Sequence, residues 1–350
     1  MVMKCLVMAL PVGTVVLGAI SMVFYLRGEE RRKTEAARPV NELAVMLRKD
    51  IDQASLEATI RTLSTTLGPR SFETHEVLEA AAAFIESSLG RMNMGYVVER
   101  RTYEVDGKAF HNLVAELPGG RRADEVLIVG AHYDSAGTSP GADDNASGVA
   151  VLLAVAHAMT GTVNERTVRF VAFTNEEPPF FHTEHMGSRV YARSCVAGGD
   201  HIVGMLCLES LGYFDESEGS QRYPEEIDAD AAGYPKTGDF VAVVGNLNSA
   251  RLVDTCVDRF NRAARVPAVG AALAPLSPWI SASDHWSFWQ EDIPAVMLTD
   301  TAPLRNPYYH TVGDTLETLD LERLTEVARG VEAVTRHLAN PGKIVRSAFD

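Results

Sequence analysis

Cysteine is scarce in this chain, and its placement carries no pattern. The four that occur (Cys5, Cys195, Cys207 and Cys256) match neither a thiolate metal site nor a disulfide framework, so the fold is expected to depend on neither. Cys207, inside the apolar run IVGMLCLES, reads as a buried, inert thiol. Runs of Lys or Arg long enough to follow a phosphate backbone are missing as well. With 32 basic residues against 47 acidic ones and a net charge of −15, the chain is not built to bind nucleic acid. Internal repeats and low-complexity tracts are absent, which excludes solenoids and biased tails. What is present is 350 residues, 46% hydrophobic and 23% charged, enough to bury a core and shape a pocket.

The segment from Cys5 to Leu26 holds 22 residues without a charge. At about 1.5 Å per residue that is ~33 Å, sufficient for a hydrocarbon core of ~30 Å. A signal peptide has a shorter apolar region and a small-x-small cleavage site; Ala19-Ile20-Ser21 is followed by further apolar residues. Residues 1–26 are therefore expected to be an uncleaved transmembrane anchor, meeting the lipid bilayer through 5–26, with 27–40 as a charged juxtamembrane linker and 41–350 as the folded domain. The side of the membrane stays open. Lys4 precedes the span while Arg27, Arg31, Arg32, Lys33 and Arg38 follow it, which by the positive-inside rule favours a cytoplasmic body.

Beyond the linker, helical and strand patterns alternate. Helices are expected over 75–92, 147–159, 248–265 and 320–339. Strands are expected over 95–105 and 111–118, as a hairpin, and over 125–131, 167–174, 201–210, 239–246 and 294–300. Apolar strands alternating with helices predict an α/β fold, a sheet covered on both faces, and ligands beyond the carboxyl ends of its strands.

The acids and histidines fall at those ends. EVLIVGA runs into HYDS, with His132 and Asp134; TVRFVAFT runs into NEE, with Glu176 and Glu177; LCLES carries Glu209. PAVMLTD ends at Asp300 and leads to His310 and Asp314, and GADDNASG places Asp143 and Asp144 before a helix. Each piece alone has an ordinary explanation, such as an N-cap, a solvated acid or a hydrogen-bonded histidine. Four strand ends each delivering His, Asp or Glu read together as a metal site. The sequon at Asn145 matches a glycosylation acceptor, but a loop facing a metal site leaves no room for a glycan.

GAHYDS, GADDNASG, FTNEE, LCLES, SDHWSFW and PYYHTVGDT, in that order over about 75–320, resemble the co-catalytic di-zinc aminopeptidase family, which also holds glutamate carboxypeptidase and glutaminyl cyclases. The resemblance implies a three-layer αβα sandwich with a mixed, mostly parallel sheet, makes 41–350 a zinc peptidase domain, and favours an extracytoplasmic body. It implies two Zn2+ per chain, with Mn2+ or Co2+ as substitutes. One is held by His132, Asp144 and Glu209 and the other by Asp144, Glu177 and His310, with Asp144 bridging. Glu176 would be the general base acting on a water shared by the metals, and Asp134 would orient the His132 imidazole. Glu209 stands where many members carry Asp; it reaches one methylene further and still binds zinc. Asp143, Asp284 and Asp314 take supporting roles in this scheme.

The activity this implies is removal of N-terminal residues from a peptide substrate. Alternatives are a glutaminyl cyclase, a dipeptide carboxypeptidase, for which Arg305 could grip a carboxylate, and a non-catalytic membrane-anchored binding protein. The last predicts missing ligands, whereas all six ligand and base positions are filled. PPFFHTEHMGS (178–188) and the three tryptophans Trp279, Trp286 and Trp289 are candidates for the pocket walls.

Overall fold

The inner strands are apolar at consecutive positions, and both faces of the sheet they build are covered by helices. The computed structural model describes residues 49–342 apart from 275–277. In chain order these form α1 (Gln53–Ile60, continued by a π-helical stretch Arg61–Leu67), α2 (His75–Leu89), β1 (Val98–Val105), β2 (Lys108–Leu117), β3 (Gly119–His132), α3 (Gly148–Met159), β4 (Asn164–Phe173) and α4 (Gly187–Ala197). Then follow β5 (His201–Glu209), α5 (Ala229–Ala232), β6 (Val241–Asn246), α6 (Ala250–Asn261), β7 (Ala268–Leu273), α7 (His285–Trp289), β8 (Ala295–Thr299) and α8 (Leu321–Ala339).

The eight strands make one sheet in the order β1-β2-β4-β3-β5-β8-β6-β7. Its centre, β4-β3-β5-β8, is parallel, as is the β6-β7 edge pair; the β1-β2, β2-β4 and β6-β8 pairings are antiparallel. The expected sandwich with a mixed sheet is the fold observed. β1 and β2 form the expected hairpin through Asp106-Gly107, both at positive φ, which matches the twist of the flanking strands.

Side chains alternate across the sheet. Leu127 and Val129 of β3, with Leu206 and Leu208 of β5, join the core formed with α1, α2, α3, α6 and α8. Ile128 of β3, with Met205 and Cys207 of β5, packs instead against Tyr191 and Cys195 of α4 and Phe288 of α7. This two-sided burial is what makes the inner strands read as unbroken apolar runs. Burial also holds the Cys207 thiol well above its ordinary range, as an inert core residue.

α1, α4 and β7, with the short helices α5 and α7, are additional to the expected elements. In α4 (GSRVYARSCVA) the buried stripe Gly187, Ser188, Tyr191, Ala192 and Cys195 is made mostly of small residues, and β7 (AVGAAL) is built of them, so neither stands out as an apolar run. α1 is set by Asp52, whose carboxylate accepts from the Ser55 N–H at 3.0 Å and caps the helix.

The membrane placement is corrected. A spanning helix needs about 20 predominantly apolar residues, and among the described residues no helix is long and apolar enough to cross a membrane. α3 is nearly all apolar but has 12 residues, and α8 has 19 but carries Glu322, Arg323, Glu326, Arg329, Glu332 and Arg336 among the Leu324, Val327, Val331 and Val334 it packs into the core. Segment 5–26, on which the anchor and its bilayer contact rested, lies outside the described residues, as does the linker 27–40. A single-pass membrane protein is not supported.

Candidate metal centre

Parallel strands end together, so the residues just past β3, β4, β5 and β8 converge on one crevice. His132 closes β3 and Glu209 closes β5; Glu176 and Glu177 follow β4, Asp144 lies between β3 and α3, and His310 follows β8. Non-glycine residues in the left-handed region turn the chain at three of these places: Asn175 (φ 56°) before Glu176, Ser210 (φ 43°) after Glu209, and His310 itself (φ 58°). Such residues cost about 1–3 kcal/mol each and persist where their surroundings hold them. Asn175 is held by its side-chain N–H donating to the Tyr103 hydroxyl at 3.1 Å.

The histidine nitrogens sit among carboxylate oxygens. His132 Nε2 is 3.2 Å from Asp144 Oδ1 and 3.2 Å from Glu209 Oε2. His310 Nε2 is 3.0 Å from Asp144 Oδ2 and 3.3 Å from Glu177 Oε2. One N–H cannot point well at two acceptors. A tetrahedral ion with bonds of about 2.0–2.1 Å, however, separates its ligands by about 3.3 Å, close to the observed spacing. Asp144 gives one oxygen to each histidine, which is the arrangement of a carboxylate shared by two ions. Two groups able to hold a cation, His132/Asp144/Glu209 and Asp144/Glu177/His310, have that residue in common. Asp144 Oδ1 and Glu177 Oε1 are buried and accept no hydrogen bond. Oxygens left this way are costly unless a cation takes them, so the donor set fits divalent metal.

The electrostatics agree. Burial pushes the Glu177 carboxyl up to about 8, helped by the Asp144 charge and opposed by His310. Burial also raises Glu176 well above the carboxylate range, with His132 opposing and Glu177 and Glu209 adding. At Asp144 burial works the same way, but the facing His132 and His310 win and lower it. Burial opposes charge on His310, yet Asp144 and Glu177 carry it up to about 10. Without a cation the pocket retains protons. Glu176 comes within 4.8 Å of the ligand atoms of His132 and Glu177 but stays outside the short contacts around the two Nε2 atoms.

Two further carboxylates hold the acidic pairs by their backbones. The Asp314 oxygens accept from the N–H groups of Asp143 (2.8 Å) and Asp144 (3.1 Å). Asp134 accepts in the same way from Glu176 (3.2 Å) and Glu177 (3.0 Å). Asp134 Oδ1 lies 3.5 Å from His132 Nδ1, too far for a good hydrogen bond, so its firm contacts are these two amides. Replacing Asp314 by Ala is expected to weaken metal affinity by about 10- to 100-fold, read by competition with a chromogenic chelator. An unchanged affinity would remove the clamp from the account.

The other expected residues are spread over supporting positions. Asp143 faces away from the crevice, accepting from the Gly212 N–H (2.8 Å) and the Asn306 amide (2.8 Å). Asn145 is fully buried, donating to Leu208 O and accepting from the Gly148 and Ser210 N–H groups, which excludes a glycan in this fold. Asp284 is fully buried, neither oxygen has a hydrogen-bond partner, and burial pushes it up to about 7. Arg305 lines no part of the cleft. It donates to Gln221 Oε1 (2.9 Å) and Phe240 O (2.9 Å), tying down the 213–240 segment. Trp289 donates to Ala295 O (2.9 Å) and packs at the core edge.

Two residues absent from the sequence scheme belong to the site. Ser283 donates to Glu209 Oε2 at 2.6 Å and fixes the longer side chain. Tyr309 stacks on His310 with ring centroids 3.8 Å apart. Burial, then the charges of Asp144, Glu177, Glu209 and Glu176, hold its hydroxyl well above the ordinary range, so it remains a donor. Its position beside His310 in PYYHT was the available signal. Two apolar pockets flank the centre. One runs from Glu209 and Tyr309 over Ala242, Val244, Ala271 and Met297, with Tyr223 and Tyr234 also in its lining. The other opens from Glu176, Glu177 and His310 onto Phe181, His182 and Trp279.

An eight-stranded mixed sheet with this cleft at its strand ends makes the protein an α/β protein with a candidate metal centre. The zinc aminopeptidase BSAP of Bacillus subtilis has the same fold, with a TM-score of 0.65 at 15% identity over 84% of this chain and 96% of that one. The chain belongs to peptidase family M28, whose model matches residues 112–335. Membership implies a hydrolase acting on peptides. A protein of Escherichia coli K12 recorded as uncharacterized, YfbL, is 37% identical over 284 residues, 79% of this chain and 85% of its own. A probable leucine aminopeptidase of Trichophyton verrucosum is 28% identical over 62% of this chain, which spans only 54% of that relative's length.

Proposed function

We propose that the protein is a metal-dependent aminopeptidase that removes apolar residues from peptide N-termini. The shared carboxylate carries this reading: Asp144 faces His132 with one oxygen and His310 with the other, and the uncommitted Glu176 lies beside them. His132, Asp144 and Glu209 would hold one Zn2+, and Asp144, Glu177 and His310 a second; the mixed His and carboxylate donors also admit Mn2+ or Co2+. Bound there, the ions would supply a water with a pKa near about 7 and a positive field for the developing oxyanion.

The chain's own groups do the rest. Glu176 takes the proton of the attacking water and passes it to the departing amine. Asp134, through the two amides, keeps Glu176 and Glu177 in register. Tyr309 offers its hydroxyl to the oxygen of the scissile carbonyl. The apolar pocket beside Glu209 receives the first side chain. Tyr309→Phe is expected to lower kcat about 100-fold with KM within about threefold. A change in KM alone would assign Tyr309 to binding.

The test is metal content of the purified protein beside hydrolysis of aminoacyl-nitroanilides, with and without added zinc. About two ions per chain and leucyl-nitroanilide turnover are expected. Metal with conversion only of N-terminal glutamine would replace this activity by cyclisation, and no metal after reconstitution would remove the ligand assignment.

A further inference from the structure

The pockets on the two sides of the centre differ in what they touch. Tyr309 borders both, but Glu209 lines only the first, and Glu176, Glu177 and His310 line only the second. A general base that returns its proton to the leaving amine must lie within reach of that nitrogen. The residue carrying the leaving amine therefore belongs on the Glu176 side, and the residue before it on the Glu209 side.

The Glu176-side pocket has a built wall. Phe181 stacks on His182 with centroids 4.0 Å apart and planes 16° apart, and His182 stacks on Trp286 at 4.3 Å and 27°. His182 Nε2 is also 2.7 Å from Ser281 O, which joins the three-ring stack to the turn that carries Trp279. Aromatic faces fixed in this way offer contact area at little ordering cost. Apart from Glu176, Glu177, Tyr309 and His310 of the centre, His182 is the ionisable residue of the lining, and its ring is committed to the stack. Trp279 lines both pockets and keeps 42% of its surface exposed.

We infer that the Phe181 pocket selects the residue following the scissile bond, favouring a large apolar side chain there, with Trp279 as the partition between it and the pocket for the first residue. This rests on the aminopeptidase reading. An apolar second residue fills the aromatic wall, glycine leaves it empty, and an aspartate meets Glu176 and Glu177 with like charge.

The experiment compares Leu-Phe-amide, Leu-Gly-amide and Leu-Asp-amide on the metal-loaded protein, by kcat/KM and by calorimetric affinity of Phe-amide against Gly-amide. Leu-Phe-amide is expected to exceed Leu-Gly-amide by about 10- to 100-fold, with Leu-Asp-amide lowest. Phe181→Ala is expected to bring the Phe/Gly ratio to within about threefold while the Leu/Ala preference at the first position stays. Trp279→Ala is expected to reduce both preferences. Equal turnover and equal affinity for Phe and Gly, or a ratio untouched by Phe181→Ala, overturns the pocket assignment. Tighter Phe-amide binding that Phe181→Ala abolishes, with no peptide cleaved, upholds the pocket and sinks the peptidase activity instead.

Discussion

Glu176→Gln is expected to lower kcat by about 10³-fold or more, with KM within about threefold and bound metal unchanged. Glutamine fills the same volume but neither takes nor returns a proton. The metal stays because Glu176 stands outside the 3.0–3.3 Å contacts that surround the two histidine nitrogens. The backbone amide that anchors it to Asp134 is also untouched by the change. A second readout separates this role from a structural one. Burial raises the Glu176 carboxyl far above its unfolded value of 4.5, so the stability tied to its proton is lost as pH rises above 4.5 towards the folded value. Glutamine is neutral throughout, and the metal-free variant is expected to melt above the metal-free parent at pH 8. A loss in kcat below about tenfold would point to another base, and a loss of metal would make Glu176 a ligand.

The strand-end logic explains why the centre was visible before the fold. In a parallel sheet the apolar runs locate the strands' carboxyl ends; His132, Glu177 and Glu209 fall at or just beyond such ends, and His310 lies on the loop that follows β8. The structure brings these residues together with Asp144 and Glu176. What stayed hidden has a different physical origin. The grip of Asp134 and Asp314 on neighbouring amides runs through backbone N–H groups, which every residue has, so no residue pattern announces it. Asp134 consequently reads as a partner of His132, two positions away, when its firm bonds go to Glu176 and Glu177. Arg305 looks free to grip a substrate because its acceptors, Gln221 Oε1 and the Phe240 carbonyl, are contributed by a distant segment. α4 and β7 were missed because their buried residues are mostly small and form no conspicuous apolar run. The aromatic wall was half legible: Phe181 and Trp279 stand in segments singled out by their composition, but the stacking of His182 between Phe181 and Trp286 joins residues about a hundred positions apart.

Stripping divalent cations is expected to abolish activity and to make stability fall as pH rises. The sign follows from the buried cluster. Glu177 goes from 4.5 to about 8 and Asp314 from 3.8 to about 8, both by burial first, with Asp144 adding to the first and Asp143 to the second. Acids raised in this way hold protons in the folded state that the unfolded chain has released, so stability is lost between the unfolded value and about 8. His310, carried from 6.5 up to about 10, adds stability that is complete below 6.5 and lost as pH rises through about 10. Asp144, lowered by its two histidines, acts only in acid, below this window. Within the cluster these groups pull the same way; outside it His285, held down to about 4 by burial, opposes them only up to its unfolded value of 6.5. Cations in the centre would leave the carboxylates ionised and the histidines neutral across that range, flattening the dependence, and their affinity rises as the ligands lose protons. The metal-free protein is expected to lose about 5–10 °C in Tm from pH 5.5 to 8 while the zinc-loaded protein changes by less than about 3 °C. Scanning calorimetry on both forms measures it. Parallel pH profiles in the two forms would mean that the cluster is neutralised by something other than metal.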